Sequence, residues 1–128
     1  MESQIGNVLV VDDDPGMCNM IVTLLSPEGY RVVAAEDGLE AMHLLRMMRR
    51  RETPAPCLVL LDLHMPRLGG VEFRRAQLRD PTVSSVPVAI MSGAADAAAR
   101  ALALGAMATV TKPIDFDALL TVVRRYCS

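Results

Sequence analysis

Five short apolar runs of β character alternate with five helix-patterned segments along this chain, and that alternation leaves few folds open. The runs are Ile5 to Val11, Arg31 to Ala35, Cys57 to Leu61, Val86 to Met91 and Met107 to Val110. Several are continuously apolar, as expected of strands whose sheet is covered by helices on both faces. The segments between them carry helix signals. Asp14 stands as an N-cap before Pro15, and Met17, Met20, Ile21, Leu24 and Leu25 form one stripe before Ser26-Pro27 ends the helix. Leu39, Met42, Leu45 and Met48 mark a second helix, and Val71 to Leu78 a third. Ala94 to Leu104 reads as a fourth, closed by Gly105. The fifth has Asp115 as its N-cap and a stripe of Phe116, Leu119, Leu120, Val123 and Tyr126. The expected fold is α/β, a doubly wound five-stranded parallel sheet with five helices. A chain of 128 residues has room for one such domain, here 1–128, burying roughly two-thirds of the surface its unfolded form exposes.

Composition removes several function classes. A hydrophobic share of 52% with 22% charged residues indicates a packed core. No apolar run is long enough to cross a membrane, and Met1-Glu2-Ser3-Gln4 lacks the basic and apolar regions of a signal peptide, so the cytoplasm is expected. A net charge of −2 gives no general attraction to nucleic acid, and Arg49-Arg50-Arg51 reads as a solvated helix end. Cys18, Cys57 and Cys127 are an odd set without metal spacing and are expected as reduced thiols. With four aromatic residues in the chain, the nine methionines are expected to fill core gaps.

The polar residues at the ends of the apolar runs are the candidates for chemistry. Asp12, Asp13 and Asp14 follow the first run, Asp62 the third, Ser92 the fourth, and Lys112 the fifth. Lys112 is the one lysine among thirteen cationic side chains, a compact point donor kept where every other cation is an arginine fork. Doubly wound sheets bind ligands outside the carboxyl ends of their strands, where these groups would converge. Two carboxylates ~4 Å apart repel by on the order of 4 kcal/mol at an effective dielectric of about 20, so the cluster needs a cation. Mg²⁺ takes hard oxygen ligands and commonly bridges carboxylates to a phosphoryl group. Asp12 and Asp13 would hold it, Asp62 would attack phosphorus, and Lys112 and Ser92 would bind phosphoryl oxygens.

The pieces V-L-V-V-D-D-D-P, L-V-L-L-D-L-H-M-P-R-L-G-G, V-P-V-A-I-M-S-G and G-A-M-A-T-V-T-K-P make the chain resemble the receiver domain of two-component response regulators along nearly its whole length. The resemblance implies the chemotaxis-type, flavodoxin-like strand order 2-1-3-4-5. It makes Asp62 the phosphoacceptor and Asp12 and Asp13 ligands of Mg²⁺, Asp13 the more direct. Asp62 and the backbone carbonyl of His64 complete that metal site, and Ser92 and Lys112 are the remaining site residues. The His64 side chain itself reads as an exposed loop group that could affect water access, and His43 as a structural or surface residue. One departure concerns Thr109, which stands three residues before the lysine where receivers usually carry Tyr or Phe. Thr109 suits a strand but cannot make the aromatic rotamer change that couples phosphorylation to the fourth helix, fifth strand and fifth helix.

The resemblance implies a signalling switch that catalyses only its own aspartyl phosphorylation and dephosphorylation. Its donor would be a histidine kinase or a histidine phosphotransfer protein. Its target would be a downstream protein or an output domain outside this sequence, without direct contact to nucleic acid or membrane. Two readings compete with it. Asp12-x-Asp14 resembles the opening of haloacid dehalogenase-type phosphohydrolases, but Pro15 and Gly16 replace the expected residues and no acidic pair follows a strand after Lys112. A receiver-like binding module that is never phosphorylated is favoured only by Thr109.

Overall fold

The computed structural model describes residues 6–50, 56–65, 67–93 and 95–127. Five parallel strands, β1 (Gly6–Val11), β2 (Tyr30–Ala35), β3 (Leu58–Asp62), β4 (Val88–Ser92) and β5 (Ala108–Thr111), lie in the order β2-β1-β3-β4-β5. The helices between and after them are α1 (Pro15–Leu25), α2 (Gly38–Arg50), α3 (Gly70–Arg79), α4 (Ala97–Ala103) and α5 (Phe116–Cys127). This is the expected doubly wound sheet, with the implied strand order. Boundaries differ from expectation by one or two residues in most strands, and α4 begins at Ala97.

The continuous apolar runs are explained by two cores. Val8, Val10, Leu58 and Leu60 face one side of the sheet, against Ile21 and Leu25 of α1 and Leu119 and Val123 of α5. Leu9, Val11, Val59 and Leu61 face the other, against Met42 and Leu45 of α2, Phe73 of α3 and Ala101 of α4. Because successive strand residues point to opposite faces, a strand buried on both must be apolar at every position.

Local signals work as expected at the helix starts. The Asp14 carboxylate accepts a hydrogen bond from the Gly16 N–H at 2.9 Å with Pro15 inside the first turn, and Asp115 Oδ2 accepts from the Ala118 N–H at 2.9 Å. Gly105, just past α4, has φ +67°, the left-handed conformation that favours glycine. Leu39, expected on the buried stripe of α2, is instead 59% exposed, and Ala41 takes the inward place. Met42 and Met91 do fill the core, but Met107 is 60% exposed. His43 is exposed. Arg51 and the side chains of Arg49 and Arg50 lie outside the described residues.

The cysteine expectation is corrected. Cys57 and Cys127 form a disulfide with a Cα–Cα separation of 5.2 Å, and Cys18 is free and buried. The pairing joins residues 70 apart in sequence, brought together because the last turn of α5 packs beside the start of β3. Spacing along the chain carried no trace of it. In the chain-entropy model such a closure removes about 4 kcal/mol of unfolded-state freedom.

A second feature without a sequence signature ties α3 to the end of α4. The Arg74 guanidinium, buried, donates to the carbonyls of Leu104 (2.9 Å) and Gly105 (3.0 Å) and to Gln77 Oε1 (2.6 Å). Gln77 Nε2 in turn donates to Val83 O and Val86 O at 3.1 and 2.9 Å. Each buried donor thus meets an acceptor, the condition under which burial of a charged group is tolerated.

Candidate functional site

At the carboxyl edge of the sheet the strand ends deliver their polar residues to one place. Asp62 is the last residue of β3 and Ser92 the last of β4, while Asp12 and Lys112 directly follow β1 and β5. Asp12, Asp62 and Ser92 are buried, Lys112 is half-buried, and Asp13 is exposed. One carboxylate oxygen from each of Asp12, Asp13 and Asp62 lies within 4.8 Å of the others. Lys112 Nζ donates to Asp12 Oδ2 at 2.9 Å and sits 3.7 Å from Asp62 Oδ1. Asp12, Asp13, Asp62 and Lys112 are therefore neighbours, and Ser92 ends the adjacent strand beside Lys112.

Backbone geometry holds them in position. The Asp14 N–H donates to Asp12 Oδ1 at 2.9 Å, turning that side chain toward the sheet edge, and the Lys112 N–H donates to Ser92 O at 3.0 Å, tying the β4 and β5 ends together. The His64 N–H lies 3.4 Å from Asp62 Oδ1, a weak contact, and His64 is exposed as expected of its side chain. The Lys112-Pro113 peptide is cis.

The charges of the cluster disturb one another. Burial and the neighbouring Asp12 carboxylate raise the pKa of Asp62, against the opposing pull of Lys112. Burial alone would lower the pKa of Lys112, but its hydrogen bond to Asp12 and the charges of Asp12 and Asp62 outweigh this and raise it. One ammonium is thus shared by two of the three carboxylates, leaving net negative charge in a partly desolvated place. Hard oxygen donors from three residues with unbalanced negative charge suit a divalent cation such as Mg²⁺. Cys18, whose thiol lies 3.5 Å from Asp12 O, has its pKa pushed up to about 11 by burial and the acidic neighbours, so it stays protonated.

The loops around the site contain an element that the sequence reading missed. Arg67, after Asp62 in the β3–α3 loop, has φ 59° and pairs with the buried carboxylate of Asp37 and, at 3.5 Å, with Glu36. Asp37 caps α2 by accepting from the Glu40 N–H at 2.9 Å, and the Glu40 carboxylate accepts from the Glu36 N–H at 3.1 Å. The bond that Asp37 accepts from the Glu40 N–H, opposed by burial and helped by Arg67, lowers the pKa of Asp37. The acid-x-x-Glu spacing of Asp37 to Glu40 is the signal that could have located this cap. The Gly38 N–H donates to Leu68 O at 2.7 Å, so the two loops are joined by backbone as well as charge. A cleft of about 270 Å³ opens between α1 and β2, with Asp12, Asp13, Cys18 and Glu40 in its walls.

Thr109 is exposed on β5 between half-buried Ala108 and buried Val110. It pairs in register with Ile90, two residues before Ser92.

Comparison with known proteins gives a consistent result. Residues 8–124 match the family model described as the response regulator receiver domain. The chain is 35% identical over 126 residues to the transcriptional regulatory protein GlrR of Escherichia coli, covering 96% of this chain and 26% of that protein. It is 31% identical over 122 residues to sporulation initiation phosphotransferase F of Bacillus subtilis, covering 93% of this chain and 91% of that protein. The solved structure of the chemotaxis response regulator CheY4 of Vibrio cholerae superposes with a TM-score of 0.82 at 26% identity, covering 94% and 98% of the two chains. The chain spans about a quarter of the length of the transcriptional regulators it matches.

Proposed function

The chain belongs to the response regulator receiver domain family of two-component systems, and on that premise we propose that Asp62 accepts a phosphoryl group from a phosphohistidine and so switches protein contacts. The observation that carries this reading is the placement of Asp62, buried at the end of β3, with the Asp12 and Asp13 carboxylates beside it and the Lys112 ammonium 3.7 Å away. The donor is a histidine kinase or a histidine phosphotransfer protein, and the readout is a downstream protein or an output domain outside this sequence. The residues 1–128 act as one receiver domain in the cytoplasm, as a switch and not as an enzyme on outside substrates. Among the described residues no helix is long and apolar enough to cross a membrane.

In the transfer, an oxygen of the Asp62 carboxylate forms a bond to phosphorus as the phosphorus–nitrogen bond breaks and the imidazole leaves. Lys112 exchanges part of its contact with Asp62 for a phosphoryl oxygen, and the Ser92 hydroxyl donates to another. Asp12, Asp13, Asp62 and the His64 carbonyl would hold Mg²⁺, which supplies charge neutralisation for the carboxylates and the incoming group. Incubation with a small acyl phosphate and Mg²⁺, followed by reductive trapping of the labile adduct and peptide mapping, is expected to label Asp62 alone. Label on Asp12 would point to a phosphohydrolase.

Lys112→Arg is expected to slow phosphoryl uptake about tenfold or more, because a charge-assisted hydrogen bond is worth about 1.5–3 kcal/mol and a planar fork cannot take the place of a point donor between two carboxylates. Uptake at the parent rate would contradict the role given to the primary amine.

Exposed Thr109 bears on the output of the switch. Moving an equilibrium from 1:99 to 99:1 takes roughly 5.5 kcal/mol of differential stabilisation, and β5 carries no aromatic ring at this position to help couple that change to the surface. With a beryllofluoride phosphoryl mimic, backbone amide shifts are expected to be large beside Ser92 and Asp62 and smaller at Ala98 to Leu104 and Leu119 to Val123. Equal shifts in both places would identify another coupling element, for which the Arg74 clamp on the end of α4 is the first candidate.

A further inference from the structure

We propose that Cys57 and Cys127 form a thiol–disulfide exchange site, a second input to this domain that acts on the end of α5 independently of Asp62. The pair sits at the edge of the sheet opposite the acidic cluster. Cys57 immediately precedes β3, whose other end is Asp62, so about five residues of extended strand, roughly 17 Å, separate the two sites. Nothing done to the sulfurs touches the phosphoryl chemistry directly.

The surroundings of the pair suit both redox states once the two sulfurs have moved apart. The oxidised pair bridges the sheet to the last turn of α5 across a Cα–Cα separation of 5.2 Å, within the range disulfides adopt. When reduced, Cys57 has an acceptor for its thiol hydrogen, because Asn7 O lies 3.2 Å from Cys57 Sγ. Reduced Cys127 would remain a small apolar side chain in the cluster with Leu119, Leu120 and Val123, where it is 3% exposed. Access is unequal, since Cys57 is half-buried and Cys127 is enclosed. That asymmetry orders the chemistry. The Cys57 thiolate attacks a small-molecule disulfide, releasing one thiolate and leaving a mixed disulfide. Cys127, deprotonated, attacks the Cys57 sulfur, forming the internal bond and releasing the second thiolate. Two electrons pass from the protein to the small disulfide, and the two protons lost by the cysteines are taken up by the thiolates released. Reduction runs in reverse, with a small thiolate attacking at Cys57. In the cytoplasmic compartment proposed above, on which this inference rests, disulfides persist only transiently, so a pair built to close there works as a sensor.

The test is a redox titration of the folded chain in mixtures of reduced and oxidised glutathione, quenched in acid, with free thiols counted after unfolding. The expected result is one transition between three free thiols and one, kept in Cys18→Ser and abolished in Cys57→Ser and in Cys127→Ser. Amide hydrogen exchange at Leu120 to Cys127 is expected to slow on oxidation, while phosphoryl uptake from an acyl phosphate stays the same in both forms. Three thiols at every ratio, a bond that reductant cannot open in the folded protein, or unchanged exchange at the end of α5 would each overturn the proposal. So would an uptake rate that follows the redox state. Failure of the chain to take up phosphoryl groups in either form would count against Asp62 as acceptor and leave the thiol count untouched.

Discussion

Asp62→Asn is expected to abolish phosphoryl uptake and, without metal, to make the protein more stable than its parent. The first effect follows from replacing the attacking carboxylate by an amide. The second follows from electrostatics. Repulsion from a carboxylate ~4 Å away and attraction to the Lys112 ammonium at 3.7 Å, each on the order of 4 kcal/mol at an effective dielectric of about 20, nearly cancel, so relief of the burial of the Asp62 charge leaves a net gain of about 1 kcal/mol on neutralising it. The pH dependence has a definite sign. Burial, with Asp12 beside it, raises the Asp62 pKa above its ordinary value of 3.8, so the folded state resists losing this proton. The destabilisation is absent below the unfolded-state pKa, grows as pH rises through the folded-state pKa, and is complete above it. The advantage of Asp62→Asn should therefore be full at neutral pH and vanish in acid. Mg²⁺ should reverse the order, because a ligand at a hundred times its dissociation constant stabilises by about 2.7 kcal/mol and the variant offers the cation one negative charge fewer. Thermal melts of both proteins with and without Mg²⁺, at neutral and acid pH, read all of this. A variant less stable than its parent in the absence of metal would show that the cluster is not electrostatically frustrated.

Gly70→Ala is expected to destabilise the protein strongly. Gly70 is the first residue of α3, and its N–H donates to Leu63 O at 3.3 Å, drawing the helix start onto the loop that follows Asp62. A Cβ there would press on the Asp62 carbonyl oxygen and stand 2.7 Å from Leu63 Cα. Both obstacles are backbone, so neither can swing away as a side chain would. Overpacking of this kind costs about 3 kcal/mol, which for a domain of this size lowers the melting temperature by roughly 10 °C or more. Phosphoryl uptake by the molecules that remain folded should also fall, since relief of the clash must displace Asp62 or the His64 loop. Gly69→Ala is the control. Its added methyl would meet Glu72 Oε2 at 2.9 Å, the mobile end of a long side chain, and is expected to be nearly neutral. Equal melting temperatures for Gly70→Ala and the parent would contradict the close approach.

The candidate site was legible because its residues sit where strands stop. Asp62, Ser92, Asp12 and Lys112 each end or follow an apolar run, and a parallel sheet gathers all such ends on one edge, so linear position translated directly into proximity. Thr109 was legible as a departure for the same reason, its place being set by distance from Lys112. The exposure of Leu39 was not, because in the first turn the small residues Gly38 and Ala41 take the inward places above Met42 and Leu45, and a pattern read from large apolar side chains passes over them. Arg67 with Asp37, and Arg74 with Leu104 and Gly105, were hidden because each contact joins loops or helix ends that no period relates.

What the sequence determined by itself was everything that depends on local order along the chain. That covers the five alternations of strand and helix, the caps at Asp14 and Asp115, the apolar strands that demand cover on both faces, and the polar residues at their carboxyl ends. Tertiary structure decided what depends on which surfaces meet across the sheet. Only folding shows that one ammonium is divided between Asp12 and Asp62, that a buried guanidinium holds the end of α4, and that Cys57 reaches Cys127. The physical reason is range. Hydrogen bonds in caps and turns act over a few residues, so their partners are written side by side, whereas burial and charge act through space and are indifferent to how much chain lies between.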